Sequence, residues 1–119
     1  MNIESFREYC LSKKWAEEGF PFHNSVMVFK VMDKAFAFTD IERLPPRASL
    51  KCDPTLALEL RERYSAITPG YHMNKIHWNT VEFEGDVNNE KIKELIDHSY
   101  DLIVKSLSKP QKAKLSDNE

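Results

Sequence analysis

Glycine is scarce in this chain, with three residues in 119. Phosphate-cradling loops need several glycines at fixed offsets, so the P-loop and dinucleotide fingerprints are excluded. No G-x-S-x-G turn is present either, which removes the nucleophile elbow of the hydrolases. Cysteine is scarcer still. Cys10 and Cys52 are far apart in sequence and form neither a metal-type nor a redox-type pair. They read as small buried apolar groups in a reducing compartment. No window approaches the roughly eighteen apolar residues of a membrane span. The opening "MNIESFREYC" carries Glu4, Arg7 and Glu8 where a secretory signal would be apolar. The expectation is a cytoplasmic protein with no membrane partner. An excess of one charge is also missing. Net charge is −2, so no global field draws nucleic acid to the chain.

The residues that remain support one domain with a core of its own. The expected boundaries are 1–109 for the domain and 110–119 for a polar C-terminal tail, frayed after Pro110. Three helices are marked by their starts. Asn2 is a good N-cap, and Met1 with Phe6 suits a hydrophobic staple. Asp53 caps a second helix with Pro54 at its first position. Asn88 caps the third, where Ile92, Leu95, Ile96, Ser99, Ile103 and Leu107 fall on one stripe. Between the helices the period changes to two. Val26–Met32 and Ala35–Thr39 read as strands around an Asp33-Lys34 turn, followed by Arg47–Cys52 and His77–Phe83. Ala16–Phe22 suits an edge strand, because Pro21 has no N–H for a ladder. This order predicts an α+β fold, a two-layer sandwich of antiparallel sheet with helices packed on one face.

Chemistry concentrates in Tyr71–Phe83, "YHMNKIHWNTVEF". His72 and His77 are five apart, an odd spacing that sends them to opposite faces of a regular strand. No metal site is expected there, since closed zinc sites want four convergent ligands, and no cofactor is expected. His98 and Ser99 are adjacent on a helix and do not face each other, so they make a poor catalytic pair. Tyr71, His72, Asn74, Lys75, His77, Trp78 and Asn79 instead bring donors, a cation and aromatic faces together. Such a mixture suits stacking on bases beside phosphate contacts. It equally suits a capped turn with Trp78 in the core or at its rim.

"PGYHMNKIHWNTV" (69–81), "LKCDP" (50–54) and "IDHSYDLIVKSL" (96–107) together resemble the MmcQ/YjbR family, and Pro21-Phe22 and "FKVMDKAFAF" (29–38) match its earlier blocks. The resemblance covers nearly the whole chain up to Lys109. It implies a CyaY-like α/β sandwich and a non-enzymatic, DNA-binding role. The positions it carries over are Lys51, Tyr71, His72, Asn74, Lys75, His77, Trp78, Asn79, Ser99 and Tyr100. On that reading Lys30, Lys34, Arg43, Arg47, Lys51 and Lys75 would contact phosphates. Binding would be weak and sequence-tolerant, because the chain as a whole is acidic. The alternative is an adaptor or chaperone-like domain taking a protein or small acidic ligand in a cleft near Lys75 and Trp78. The two separate on the surface: shared exposure of the basic residues on one face favours DNA, and scatter around a pocket favours the ligand.

Overall fold

The computed structural model describes residues 1–71 and 73–117. The elements run α1 (Ile3–Leu11), β1 (Ala16–Gly19), β2 (Val26–Val31), β3 (Lys34–Asp40), β4 (Arg47–Lys51), α2 (Pro54–Arg63), β5 (Ile67–Pro69), β6 (Trp78–Glu82), α3 (Asn89–Lys105) and α4 (Lys109–Asp117). The strands form one sheet in the order β1-β2-β3-β4-β6-β5. Every neighbouring pair is antiparallel. The fold is the α+β sandwich expected from the sequence. Among the described residues no helix is long and apolar enough to cross a membrane.

The caps behave as their residue types dictate. Asn2 accepts from the Ser5 amide while the Ser5 hydroxyl accepts from the Asn2 amide, closing a capping box. Asp53 accepts from the amides of Thr55 and Leu56, and Asn88 from that of Lys91. Each cap satisfies a helical N–H that has no partner within its own helix. The α3 stripe is buried as expected, with Ile92 and Ile96 fully so. It packs on β2, β3 and β4.

Ser99, inside that stripe, has a specific task. Strands β3 and β4 pair only at Ala37↔Leu50 and Phe38↔Ser49. The next pair in that register, Phe36 and Lys51, is bridged by a side chain instead. The Lys51 amide donates to Ser99 Oγ at 2.9 Å, and Ser99 Oγ donates to the Phe36 carbonyl at 2.6 Å. The hydroxyl replaces a ladder bond where the strands diverge, so two buried backbone groups stay satisfied.

Several local expectations are corrected. The β2–β3 turn is Met32-Asp33, one residue earlier than expected, with φ of 49° and 66°. Positive φ at both central residues is what a tight hairpin with the native strand twist requires. β1 ends at Gly19 rather than Phe22. Strand β5, only three residues long, was too short to show a period. Where a frayed tail was expected, Lys109–Asp117 form α4. Pro110 lies in the first turn of α4, where a missing N–H costs nothing. Ser108 and Gln111 cap each other across that turn, and Leu115 is buried.

The α2–β5 connection is tied down by Asp86. Its carboxylate accepts from the amides of Ala66 and Ser65, both at 2.9 Å, and from the Ser65 hydroxyl. These bonds favour the ionised form and hold its pKa below the ordinary value, with the Ala66 amide the largest cause. A depressed carboxylate contributes stability above its unfolded pKa and loses it as the pH falls through the folded one. Wild type should therefore lose thermal stability on acidification below about pH 4. Asp86→Asn should flatten that loss in melting curves taken across the same range. Parallel pH profiles for the two proteins would contradict the assignment.

Candidate functional site

Strand alternation divides the sheet into two unlike faces. Phe29, Ala37, Leu50 and Val81 point toward the helices and are buried there. Val28, Phe38, Ser49 and Thr80 are consecutive register partners on the other face. Loops, rather than α1, α2 or α3, rise around that second face. Phe22 comes from the β1–β2 loop, Arg43 from the β3–β4 loop, and Tyr71 and Met73 from the β5–β6 loop. Together with Val26, Phe38, Asp40, Arg47, Ser49 and Thr80 they enclose a pocket of about 390 Å³. That volume falls in the range of small-molecule sites.

The walls are apolar and aromatic, and Phe22 and Tyr71 remain more than half exposed. The guanidinium of Arg43 lies 4.3 Å from the centre of the Tyr71 ring, a cation–π contact that joins two loops across the rim. Arg47 Nε donates to the Pro45 carbonyl at 3.2 Å. On the floor Ser49 Oγ and Thr80 Oγ1 are 3.4 Å apart, and Thr80 Oγ1 accepts from the Tyr71 amide at 3.1 Å. Asp40 is the one carboxylate among the described lining residues. It accepts from the Ser25 hydroxyl at 2.5 Å and the Glu42 amide at 3.1 Å. The Ser25 bond is the main reason its pKa is lowered, with the Glu42 amide and Arg43 adding to it.

The motif residues of the sequence divide between this site and the loop that builds one of its walls. Tyr71 lines the pocket. Trp78 is half-buried and meets Phe38 edge-on at 5.4 Å between ring centres, so it supports the floor from the side. Lys51 pairs with Trp78 at the end of the β4–β6 ladder. Asn74 shapes the loop: its side chain accepts from the amides of Ile76 and His77, and its carbonyl accepts from the Trp78 amide. Lys75 Nζ donates to the Gly70 carbonyl at 3.1 Å. His77 is exposed, and its carbonyl accepts from the Cys52 amide. His72 lies outside the described residues. Gly70 permits the close return of the chain, since a Cβ there would stand 2.8 Å from the Cβ of Trp78.

Arg61 of α2 fastens this loop from below. It donates to Asn79 Oδ1 at 2.7 Å, to the Trp78 carbonyl at 3.3 Å and to the Lys75 carbonyl. Asn79 in turn donates to the Ala57 carbonyl. The two carried-over positions on α3 are also held internally. Ser99 bridges β3 and β4, and the Tyr100 hydroxyl donates to the Lys14 carbonyl at 2.6 Å.

The basic residues do not form one stripe. Arg43 and Arg47 line the pocket, and alternation places Lys30 and Lys51 on the same side of the sheet. Lys34 lies on the helix side and donates to the Ser106 carbonyl at the end of α3. Other candidate chemistry is similarly engaged. Cys10 and Cys52 are buried free thiols; burial raises both, Cys52 to about 11. His98 Nε2 accepts from the Asp53 amide at 3.1 Å, next to the cap of α2. Among the described residues no three His, Cys, Asp or Glu side chains stand close enough to hold a metal ion together.

Sequence reasoning on the motif reached Tyr71 and Trp78 but not Phe22, Phe38, Ser49 or Thr80. The signal available was the outward row of the strands. In β4 the polar Arg47, Ser49 and Lys51 alternate with the apolar Ala48 and Leu50, which marks a face without a helix over it.

The family model described as YjbR matches residues 11–102. The protein YjbR of Escherichia coli K12, described as uncharacterized, is 36% identical over 107 residues, covering 90% of this chain and 91% of the relative. YbdF of Escherichia coli O157:H7, described in the same way, is 34% identical over 106 residues, 89% of this chain and 87% of the relative. A crystal structure of a Deinococcus radiodurans protein with the domain description DUF419 superposes with a TM-score of 0.89 at 39% identity, over 97% of this chain and 88% of that one. A Pseudomonas syringae protein, also solved by crystallography, gives 0.74 at 30% identity over 86% and 98% of the two chains. With its fold, its motif blocks and most of its length matched, the chain belongs to the YjbR family.

Proposed function

We propose that the chain is a non-enzymatic binding domain that takes a small acidic ligand in the pocket on the open face of the sheet. The observation carrying this reading is the pocket itself: an apolar, aromatic hollow of about 390 Å³ with two arginines at its edge. Apolar walls with a few convergent polar groups are the usual make-up of a ligand site. Guanidinium forks suit carboxylates and phosphates. The floor hydroxyls of Ser49 and Thr80 are bonded to each other and to a backbone amide, with no imidazole or carboxylate among the described residues placed to activate them. That favours binding over nucleophilic catalysis. Two buried, unpaired thiols suit the reducing environment of the cytoplasm.

DNA binding is the second reading. It is supported by Arg43 and Arg47 sharing the open face with the exposed rings of Phe22 and Tyr71, a combination that suits a stacked single strand. Lys75 is exposed and gives one of its three ammonium donors to the Gly70 carbonyl, which leaves two for a phosphate.

One titration distinguishes the two. Isotope-labelled protein is followed by amide chemical shifts against small aromatic and aliphatic acids, and against a short single-stranded oligonucleotide at low salt. The acid reading expects saturable shifts centred on Phe38, Ser49, Thr80 and Tyr71, with no comparable response to the oligonucleotide. The DNA reading expects the oligonucleotide to win, with a log–log salt slope of about −0.7 per phosphate contacted. Shifts confined to other surfaces would remove both.

A further inference from the structure

The same pocket carries enough charge geometry to narrow its ligand, granted the acidic-ligand reading above. Among the described residues its lining contains two cations, Arg43 and Arg47, and one anion, Asp40. Counting two against one leaves a single positive charge. The carboxylate is held in place by Ser25 and the Glu42 amide, so it stands as a fixed negative charge beside the site. Glu82 is the register partner of Arg47 on the next strand, and it adds a further negative charge at the edge. Together Asp40 and Glu82 offset the two guanidiniums, so a second negative charge on a ligand gains little net attraction.

The two arginines are not equivalent. Arg43 lies over the Tyr71 ring and closes the rim. Arg47 has only its Nε engaged, by the Pro45 carbonyl, and forms no ion pair among the described residues. Its terminal nitrogens form one open fork. One fork matches one carboxylate, bidentate and planar. The floor adds a hydroxyl: with Thr80 Oγ1 accepting from the Tyr71 amide, a proton of the Ser49–Thr80 pair is left to point into the pocket. The remaining walls, Phe22, Phe38 and Tyr71, offer ring surfaces that favour a flat apolar partner.

We propose that the pocket binds an aromatic monocarboxylate, its ring among Phe22, Phe38 and Tyr71 and its carboxylate on the fork of Arg47. The test uses three probes sharing one ring system: naphthoate, the neutral naphthamide, and naphthyl phosphate, measured at about pH 8, where the phosphate is a dianion. Amide shifts report both the affinity and the place of binding. Naphthoate should bind at the pocket about tenfold more tightly than naphthamide, the scale of one charge-assisted pair. It should also bind several-fold more tightly than naphthyl phosphate. In Arg47→Gln the preference for naphthoate over naphthamide should fall to about one, while the amide spectrum away from the pocket is unchanged.

Equal or tighter binding of naphthyl phosphate at the pocket would overturn the monocarboxylate inference and leave the pocket reading intact. Equal binding of naphthamide would overturn the acid requirement. A preference that survives in Arg47→Gln would overturn the role given to that residue. If no probe shifts the pocket amides, the pocket reading of the preceding subsection falls as well.

Discussion

Phe6→Ala should destabilise the protein by about 3–5 kcal/mol, the range for removing a fully buried aromatic ring. Phe6 sits on the inner side of α1 with none of its surface exposed. Its ring meets Phe29 of β2 edge-on at 5.8 Å and Phe83 at 5.0 Å, just past the end of β6. One side chain thus fastens the first helix to two separate parts of the sheet. Its removal loses the transfer of a ring from water and leaves a cavity between α1 and the sheet. Phe6→Leu keeps most of the volume and should cost less than about 2 kcal/mol. Urea unfolding would check both. The midpoint should fall in that order with the slope unchanged, since the slope reports the surface exposed on unfolding. A loss below about 1 kcal/mol for the alanine variant would mean that α1 is not an integral part of the core.

What the sequence made legible was the half of the molecule that depends on period and caps. The stripe Ile92–Leu107 is buried because a 3.6-residue period has only one way to face a sheet. Asn2, Asp53 and Asn88 cap because their short oxygens reach an amide two or three residues ahead. What stayed hidden depends on contacts between distant residues. Pro110 read as a helix breaker, yet the same residue in a first turn helps a helix start; Ser108 and Gln111, three apart, were the signal for that turn. Nothing local marks Ser99 as a bridge between two strands, since its partners Phe36 and Lys51 are far away in sequence. The motif around Tyr71 is dense in chemistry, but Asn74 and Lys75 direct it inward, to the loop's own backbone. The pocket is instead assembled from strand residues and three loops, and no single segment contains enough of it to be recognised.

Arg61 should set the geometry of that loop, and Arg61→Leu is expected to cost about 1–3 kcal/mol, the penalty for leaving the buried Asn79 Oδ1 without its donor. Its guanidinium bonds to Asn79 Oδ1, in a residue only 3% exposed, and to the Lys75 carbonyl. The Trp78 carbonyl would keep the Gly70 amide as a partner, so it is not orphaned. The more telling consequence is local. The β5–β6 loop holds Tyr71 against Arg43 and Met73 in the pocket wall, and Arg61 is its anchor to α2. With the anchor gone, the Gly70 and Trp78 amides, each bonded within the loop, should exchange with solvent faster than the rise in global unfolding explains. Local opening of this kind is separable from global unfolding by hydrogen exchange. Arg61→Lys should recover less than half of the lost stability, because one ammonium cannot fork between a side-chain amide and a carbonyl as a planar guanidinium does. If Arg61→Leu is within about 0.5 kcal/mol of wild type and leaves Gly70 protected, the loop is held by its own turn alone. In that case the wall of the pocket owes nothing to α2, and the open face must be organised entirely by the strands and by the contact of Arg43 with Tyr71.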